Sequence, residues 1–594
     1  MTSVENSSQK GPVQGGLARS GSMQDGSAQQ GPAQQGPTPR ETPAAFTPYR
    51  WATPLAEVAR RHGLQAAQIL RFDGNVPPLP GVPQIPLSES FARLNEYPEG
   101  SYRELREAAV AYVTGGAGQG GRPGGGPGGA GDEGTAGASG IDPEWIAVGA
   151  GADDLIAMVA RTYLSAGRRA AIVGPTYPVY RVSSLLENAE VVDVAFTADT
   201  ARGAAVLWLC NPNNPTGASL APAEITAVAR ALPETLVVVD EAYVEYGGET
   251  VVPFVAELPN LVVLRTLSKA FGLAGLRVGY AVAQPEVVAA LTARRSPAPI
   301  TIPSARIAAA ALRDPRTDVA DTVAERDRMR DALVAAGYTV PASAANFLFV
   351  PLADAANRAD ALEEQGLMVR RFPDGIRITP RLPGDNDRLL AALGAADGAA
   401  ASTRRGALII RTTTETALRI SLQLDGRGRA RVATGIGFLD HLLALMTFQS
   451  GADLDLLAGG DLDVDEHHTV EDVLAALGDA YAQALGARAG VTRYGSAVVP
   501  MDEARAMAAV DLVKRPHAEI ALTFSGDRVG GVAVTLLPHA LERFTMQAGF
   551  TVHVESAGAD DHHVAEAAFK ALGRALREAC AITSTGIRST KGEA

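Results

Sequence analysis

Cysteine is nearly absent from this 594-residue chain. Cys210 and Cys580 lie 370 positions apart and no CxxC pair occurs, so a disulfide framework and a thiolate zinc knuckle are both excluded. A reducing, cytoplasmic setting follows as the expectation. No run of 18 apolar residues is present, which excludes a membrane-spanning helix. The opening MTSVENSSQKGPVQGG lacks the apolar stretch of a secretory signal. No basic block offsets a net charge of −13, which argues against a nucleic-acid partner. What the chain does have is apolar residues, 46% of the total, and more length than one hydrophobic core uses.

Composition divides the chain. Residues 1–45 are Gln, Gly, Ser and Pro with no aromatic before Phe46, and are expected to be a disordered tail. Segment 115–140 holds 14 glycines in 26 residues and reads as a flexible insertion within a domain. Segment 394–406 (GAADGAAASTRRG) reads as a linker between a domain at 46–393 and another at 407–594. In the first, AAIVGP (170–175), AAVLWLC (204–210), TLVVVD (235–240) and LVVLRT (261–266) are short apolar runs alternating with helical patterns. Near-continuous apolar strands between helices predict an α/β fold with a mostly parallel, covered sheet. After 406, alternating strands and alanine-rich helices predict an α+β domain.

That second domain repeats itself. HHTVEDVLAALGDA (467–480) and HHVAEAAFKALGRA (562–575) match at both histidines, the glutamate and ALG-x-A, with an offset of 95. His441 precedes the first copy and His539 the second, so the domain is expected to be two duplicated halves. Eight of nine histidines lie after residue 440, and six belong to these copies. A single HHxxE reads equally well as a capped helix start or a metal site. Two copies, each with its own distant histidine, favour metal. On a helix His467 and Glu471 share a face while His468 is rotated by about 100°. The adjacent imidazoles therefore point toward different ions, and the spacing predicts one two-metal site built from both halves. About three His and one Glu per ion, without cysteine, suit an octahedral borderline ion such as Mn²⁺ with positions left open. A zinc protease is the competitor, but HExxH is absent.

The motifs LDGRG, TGIGFLDHLL, GDLDVDEHHTVED, RYG, PMDEA and terminal STKG make 407–594 resemble imidazoleglycerol-phosphate dehydratase. The resemblance implies that His441, His467, His468, Glu471, His539, His562, His563 and Glu566 bind two manganese ions at subunit interfaces. It implies that Arg493, Arg515, Lys570, Ser589 and Lys591 hold a substrate phosphate, a dianion that needs converging charge-assisted donors. An imidazolate held between two metals would supply the electrons for loss of water, with Glu471 and Glu415 as candidates for positioning or proton transfer. Glu415 reads equally well as a surface carboxylate. The chain departs from the family after FLDH, where Leu445 replaces a glutamine and Gln449 a histidine.

In the first domain NPNNPTG (211–217), DEAY (240–243), TLSKAFGLAGLRVG (266–279) and IRIT (376–379) occur in that order. Together they resemble fold-type I pyridoxal-phosphate aminotransferases, in particular the histidinol-phosphate group, with a large sheet and a small α+β subdomain. The resemblance implies that Lys269 forms the Schiff base with the cofactor and moves the proton. Asp240 would pair with the ring nitrogen, Asn214 and Tyr243 with the phenolic oxygen, and Tyr177 would stack on the ring. Ser268, Arg277 and the amides of Ala152 and Asp153 would hold the cofactor phosphate, joined by Tyr97 from a neighbouring subunit. Arg370 and Arg377 would take the substrate's anionic groups. DGNVPPLP stands where LNANENPYG-like text is common, and Asn75 survives in it as a substrate-binding candidate. The two resemblances together imply consecutive steps of histidine biosynthesis, with glutamate as amino donor and a homo-oligomeric assembly. The alternative is an aminotransferase for aromatic or branched 2-oxo acids.

Overall fold

A computed structural model describes residues 46–47, 52–64, 69–77, 94–115, 140–315, 317, 319–381, 383–395, 405–462 and 464–583. The expected tail at 1–45, nearly all of the glycine-rich insertion and the linker, and Ser589 and Lys591 lie outside the described residues.

The apolar runs are strands. In chain order β1 is Ile146–Gly149, β2 Arg169–Val173, β3 Glu190–Val194, β4 Val206–Cys210, β5 Leu236–Asp240, β6 Leu261–Thr266 and β7 Gly279–Val282. They form one sheet in the order β1-β7-β6-β5-β4-β2-β3. Its β6-β5-β4-β2-β3 portion is parallel, while β7 runs antiparallel to β6 and to β1. Every residue of β4, β5 and β6 is buried, because helices cover both faces of a parallel sheet and leave no polar side to alternate with. Helix α1 (Ala152–Tyr163) follows β1, and α2 (Val179–Leu186) follows β2. Beyond them α3 (Val319–Ala335) leads into a small antiparallel sheet of β8 (Leu348–Pro351), β9 (Arg370–Phe372) and β10 (Gly375–Ile378), ordered β9-β10-β8. This subdomain has its own apolar core, including Met329, Leu333, Leu348, Ile376 and Leu389.

The C-terminal part shows the duplication in its backbone. The first half runs β11 (Gly406–Thr412), β12 (Thr416–Gln423), β13 (Ala430–Ala433), α4 (Gly437–Ser450), β14 (Asp453–Gly460) and α5 (His467–Leu485). The second runs β15 (Tyr494–Met501), β16 (Ala504–Asp511), β17 (His517–Leu522), α6 (Leu536–Ala548), β18 (Thr551–Ala557) and α7 (Asp561–Cys580). The sheets have the same order, β11-β12-β14-β13 and β15-β16-β18-β17. In each, the last pair is parallel, since a helix carries the chain across between them. Burial alternates along β14, β16 and β18, with one face turned to a shared core. That core is a single cluster across both halves and includes no residue of the N-terminal cores. Among the described residues no helix is long and apolar enough to cross a membrane.

Helices pack across the halves, α5 on α6 and α4 on α7. Two glycines 95 positions apart permit this. A Cβ on Gly478 would lie 2.4 Å from the Phe544 carbonyl oxygen, and one on Gly573 would lie 2.4 Å from that of Met446.

Candidate active sites

The first site lies where the parallel strands end. Asp240 closes β5, Cys210 closes β4, and Ser268 and Lys269 follow β6, so backbone geometry alone brings them to one rim. They line a cavity of about 550 Å³ that also takes in Asn75, Ala152, Asp153, Tyr177, Asn214, Tyr243, Arg277, Arg370 and Arg377. Tyr97 is not among them and is 91% exposed.

Burial sets the charges here. Desolvation, aided by the Arg377 guanidinium, brings the Lys269 ammonium down to about 8. Burial raises the Asp240 carboxyl to about 6, partly offset by donation from the Tyr180 hydroxyl to Oδ2 (2.7 Å) and the Ala242 amide to Oδ1 (3.1 Å). Tyr180 was a residue that motif reading passed over, although it stands in the PTYPVY stretch that contains Tyr177. Its ring stacks on Trp208 at 5.3 Å and 11°. The Tyr243 hydroxyl accepts from Asn75 Nδ2 (3.0 Å) and Asn214 Nδ2 (3.4 Å), and Lys269 Nζ lies 5.7 Å from the Tyr243 ring centre. Asn75 is thereby tied to the Tyr243 hydroxyl, and its Oδ1 also accepts from Thr379 (2.9 Å). Arg377 Nη1 donates to Asn214 Oδ1 (2.5 Å), and Arg370 faces Arg377 across the β9–β10 pair. Two guanidiniums on one hairpin suit an anionic substrate.

At the other end, Gly151 caps the start of α1 with a positive φ of 85°. A Cβ there would lie 2.8 Å from Arg277 Nη2. Arg277 Nη2 reaches Asp153 Oδ2 at 3.3 Å, and the Tyr177 hydroxyl donates to Asp153 Oδ1 at 2.9 Å. A helix N-terminus, a serine and an arginine at a side-chain-free turn on one cavity offer the donors a phosphate needs. With an amine and a carboxylate held apart across the same cavity, these residues fit pyridoxal phosphate.

The second site is at the starts of α5 and α7. The eight expected ligands do not gather in one cluster within the chain. His467, Glu471 and His539 form one triad, and His441, His562 and Glu566 the other, the ligand atoms of each lying within 4.8 Å of one another. Each triad draws on both halves, because α5 packs on α6 and α4 on α7. His468 and His563 belong to neither. The offset of about 100° turns them toward other acids: Asp461 Oδ2 lies 2.9 Å from His468 Nδ1, and Glu503 Oε2 lies 2.9 Å from His563 Nδ1. Glu415 is half-exposed, with Oε1 3.9 Å from His468 Nε2. Its duplicate is Glu503, on the equivalent β15–β16 turn and visible beforehand only as part of PMDEA. Two imidazoles and a carboxylate, no thiolate and an open side fit a divalent ion that keeps positions for substrate. Burial opposes ionisation of Glu566, yet His441 and Lys570 beside it bring it down to about 2.

The expected phosphate-binding residues are spread around this part. Lys570 Nζ donates to Glu566 Oε2 (2.6 Å), Arg493 forms a two-point pair with Asp511 (2.7 and 3.1 Å), and Arg515 is exposed.

Comparison with known proteins assigns a family to each part of the chain. The family model of aminotransferase class I and II matches residues 68–393, and that of imidazoleglycerol-phosphate dehydratase matches 434–576. The chain therefore joins two enzyme classes, a pyridoxal-phosphate-type aminotransferase fold and a separate C-terminal dehydratase domain. It belongs to the aminotransferase class I and II family through the first and to the imidazoleglycerol-phosphate dehydratase family through the second. The imidazoleglycerol-phosphate dehydratase of Magnetococcus marinus is 48% identical over 186 residues, 31% of this chain and 94% of that protein. That of Methanocella arvoryzae is 44% identical over 189 residues, 32% of this chain and 98% of that protein. A solved histidinol-phosphate aminotransferase from Sinorhizobium meliloti aligns with 60% of this chain and 97% of its own, at 23% identity and a TM-score of 0.49.

Proposed function

We propose that the chain carries two consecutive steps of histidine biosynthesis on domains at 46–393 and 407–594. The C-terminal domain dehydrates imidazoleglycerol phosphate to imidazole acetol phosphate. The N-terminal domain transaminates that ketone with glutamate, giving L-histidinol phosphate and 2-oxoglutarate. One observation carries this reading: a cavity holding Lys269 and Asp240 and two His₂Glu triads occur on one chain. The product of the dehydratase named by the second family is a ketone, which is what an aminotransferase consumes.

In the first domain, bound pyridoxal phosphate would supply the electron sink that makes the substrate's α-proton removable. Lys269, with its amine lowered to about 8, would be the base that takes and returns that proton at Nζ. Asp240 would hold the proton of the ring nitrogen, and Tyr180 and the Ala242 amide keep that carboxylate oriented. Tyr243, Asn214 and Asn75 fix the ring's oxygen side, and Arg370 and Arg377 place the substrate's anionic ends. In the second domain, manganese at the triads would hold the imidazole as its anion. His468 and His563, turned out of their own triads, would complete sites shared with neighbouring copies in a homo-oligomer. Glu415, half-exposed, and Glu471 would position groups or move the proton of the departing hydroxyl, and Arg493, Arg515, Lys570, Ser589 and Lys591 would gather around the phosphate.

The test is a one-pot assay of purified full-length protein with imidazoleglycerol phosphate and glutamate, alongside metal analysis and an absorbance spectrum. Histidinol phosphate should form, with a cofactor band and near two manganese ions per chain. Lys269→Ala should abolish the band and stop the reaction at the ketone. Preference of the aminotransferase for phenylpyruvate over imidazole acetol phosphate would overturn the assignment.

A further inference from the structure

The two triads use their glutamates alike. Glu471 turns Oε2 toward His467 Nε2 and His539 Nε2, both at 3.4 Å. Glu566 turns Oε1 toward His441 Nε2 at 2.5 Å and His562 Nε2 at 3.2 Å. The ring pairs match as well, His467 and His539 at 5.6 Å and 26°, His441 and His562 at 6.0 Å and 33°. In each triad the carboxylate's other oxygen meets a cation, but the cations come from different places. Glu566 Oε2 takes Lys570 Nζ at 2.6 Å, four residues along the same helix α7. Glu471 Oε1 lies 3.0 Å from Arg543 Nε of α6, one turn after His539, an ion pair without hydrogen-bond alignment.

Neither cation has a counterpart in the other half. The position 95 residues before Lys570 is Ala475, which is 1% exposed and leaves no route out for a lysine. Aligning His441 with His539, the position of Arg543 in the first half is Leu445. Each triad has kept one cation, on the ligand's own helix in one case and on the facing helix in the other. A carboxylate with both oxygens open can chelate an ion with two or swing between binding modes. Occupying one oxygen leaves a single, fixed donor.

We propose that Arg543 is a positioning residue of the Glu471 triad, its charge held against Oε1 so that Oε2 alone serves the bound ion, in the place that Lys570 takes against Glu566 Oε2 before any substrate phosphate is present. This rests on the two-metal reading of the dehydratase domain. Leu445 is the first-half counterpart of Arg543.

The test is Mn²⁺ titration of the chelator-stripped full-length chain, following free ion by electron paramagnetic resonance and bound ion by elemental analysis. Wild type should bind two ions per chain. Arg543→Ala should weaken one class of sites by about tenfold or more and spare the other, as loss of a group that orients a metal-binding carboxylate does. Arg543→Lys should largely restore it, and Lys570→Met should weaken the opposite class. A merely structural role would change both classes or the assembly state, read by light scattering, and would not be rescued by lysine. Two ions at wild-type affinity in Arg543→Ala would overturn the assignment while leaving the metal reading intact. Fewer than two ions in wild type would overturn the metal reading and Arg543's role with it.

Discussion

At the residue scale, the first site stores its chemistry in two misplaced protons. With the Lys269 amine near 8, about one molecule in ten has a neutral amine at pH 7, against about one in three thousand for an ordinary lysine. The rate at which pyridoxal phosphate attaches to stripped enzyme should therefore rise with pH and level off above about 8, as followed by stopped-flow absorbance. The stability signs follow from the same shifts. Lys269 is depressed, so its contribution is fully present above about 10.5 and lost as pH falls through about 8. Asp240 is raised, so its contribution is present below about 4 and lost as pH rises through about 6. Cofactor-free Lys269→Met should thus melt higher than cofactor-free wild type at pH 7, by on the order of 2–3 kcal/mol, with the gap closing above pH 10. Tyr180→Phe removes a donor to a buried carboxylate, worth about 1.5–3 kcal/mol, so cofactor affinity should drop about 10- to 100-fold in an absorbance titration. Lys269 and Asp240 were legible in the sequence because strand ends and short motifs fix them. Tyr180 and Arg543 were not, because their partners are chosen by packing between α2 and β5 and between α5 and α6.

At the element scale, the offset of 95 made the duplication legible, and the backbone repeats it strand for strand. What the offset could not show is which histidine meets which pair. That depends on α5 lying against α6 and α4 against α7, and so on two glycines that let backbones touch. Gly478 and Gly573 have no space for a methyl group, and the nearest atoms are backbone carbonyl oxygens that cannot rotate away. Gly478→Ala and Gly573→Ala should each cost about 1–3 kcal/mol in urea unfolding, as overpacking does. Each should also widen the helix pair that carries a triad, so Mn²⁺ affinity should fall in both variants. A stability loss with unchanged metal binding would show that the triads tolerate the helix shift. Adjacent imidazoles pointing apart were foreseeable from helical geometry. That they part so completely, with His468 and His563 leaving the triads for Asp461 and Glu503, depended on turns distant in sequence.

At the scale of the whole molecule, the two parts have separate apolar cores, and a described contact between them is the ion pair of Arg429 with Asp321 at 2.7 Å, both about half exposed. Such a pair contributes about 0–1 kcal/mol, and the apolar cores that dominate each part's stability share no residue. Calorimetry of the full chain should therefore show two transitions. Pyridoxal phosphate should raise one alone and manganese the other alone, each by about 2.7 kcal/mol at a hundred times its dissociation constant. The chain has a built-in label for telling them apart, since its three tryptophans, Trp51, Trp145 and Trp208, all precede residue 394. Tryptophan fluorescence should follow the cofactor-sensitive transition and stay silent through the metal-sensitive one, which far-ultraviolet circular dichroism would still report. A single transition, or a tryptophan signal that moves with manganese, would mean that the aminotransferase and dehydratase parts fold as one body, and the Arg429–Asp321 contact would then be the first place to look for the coupling.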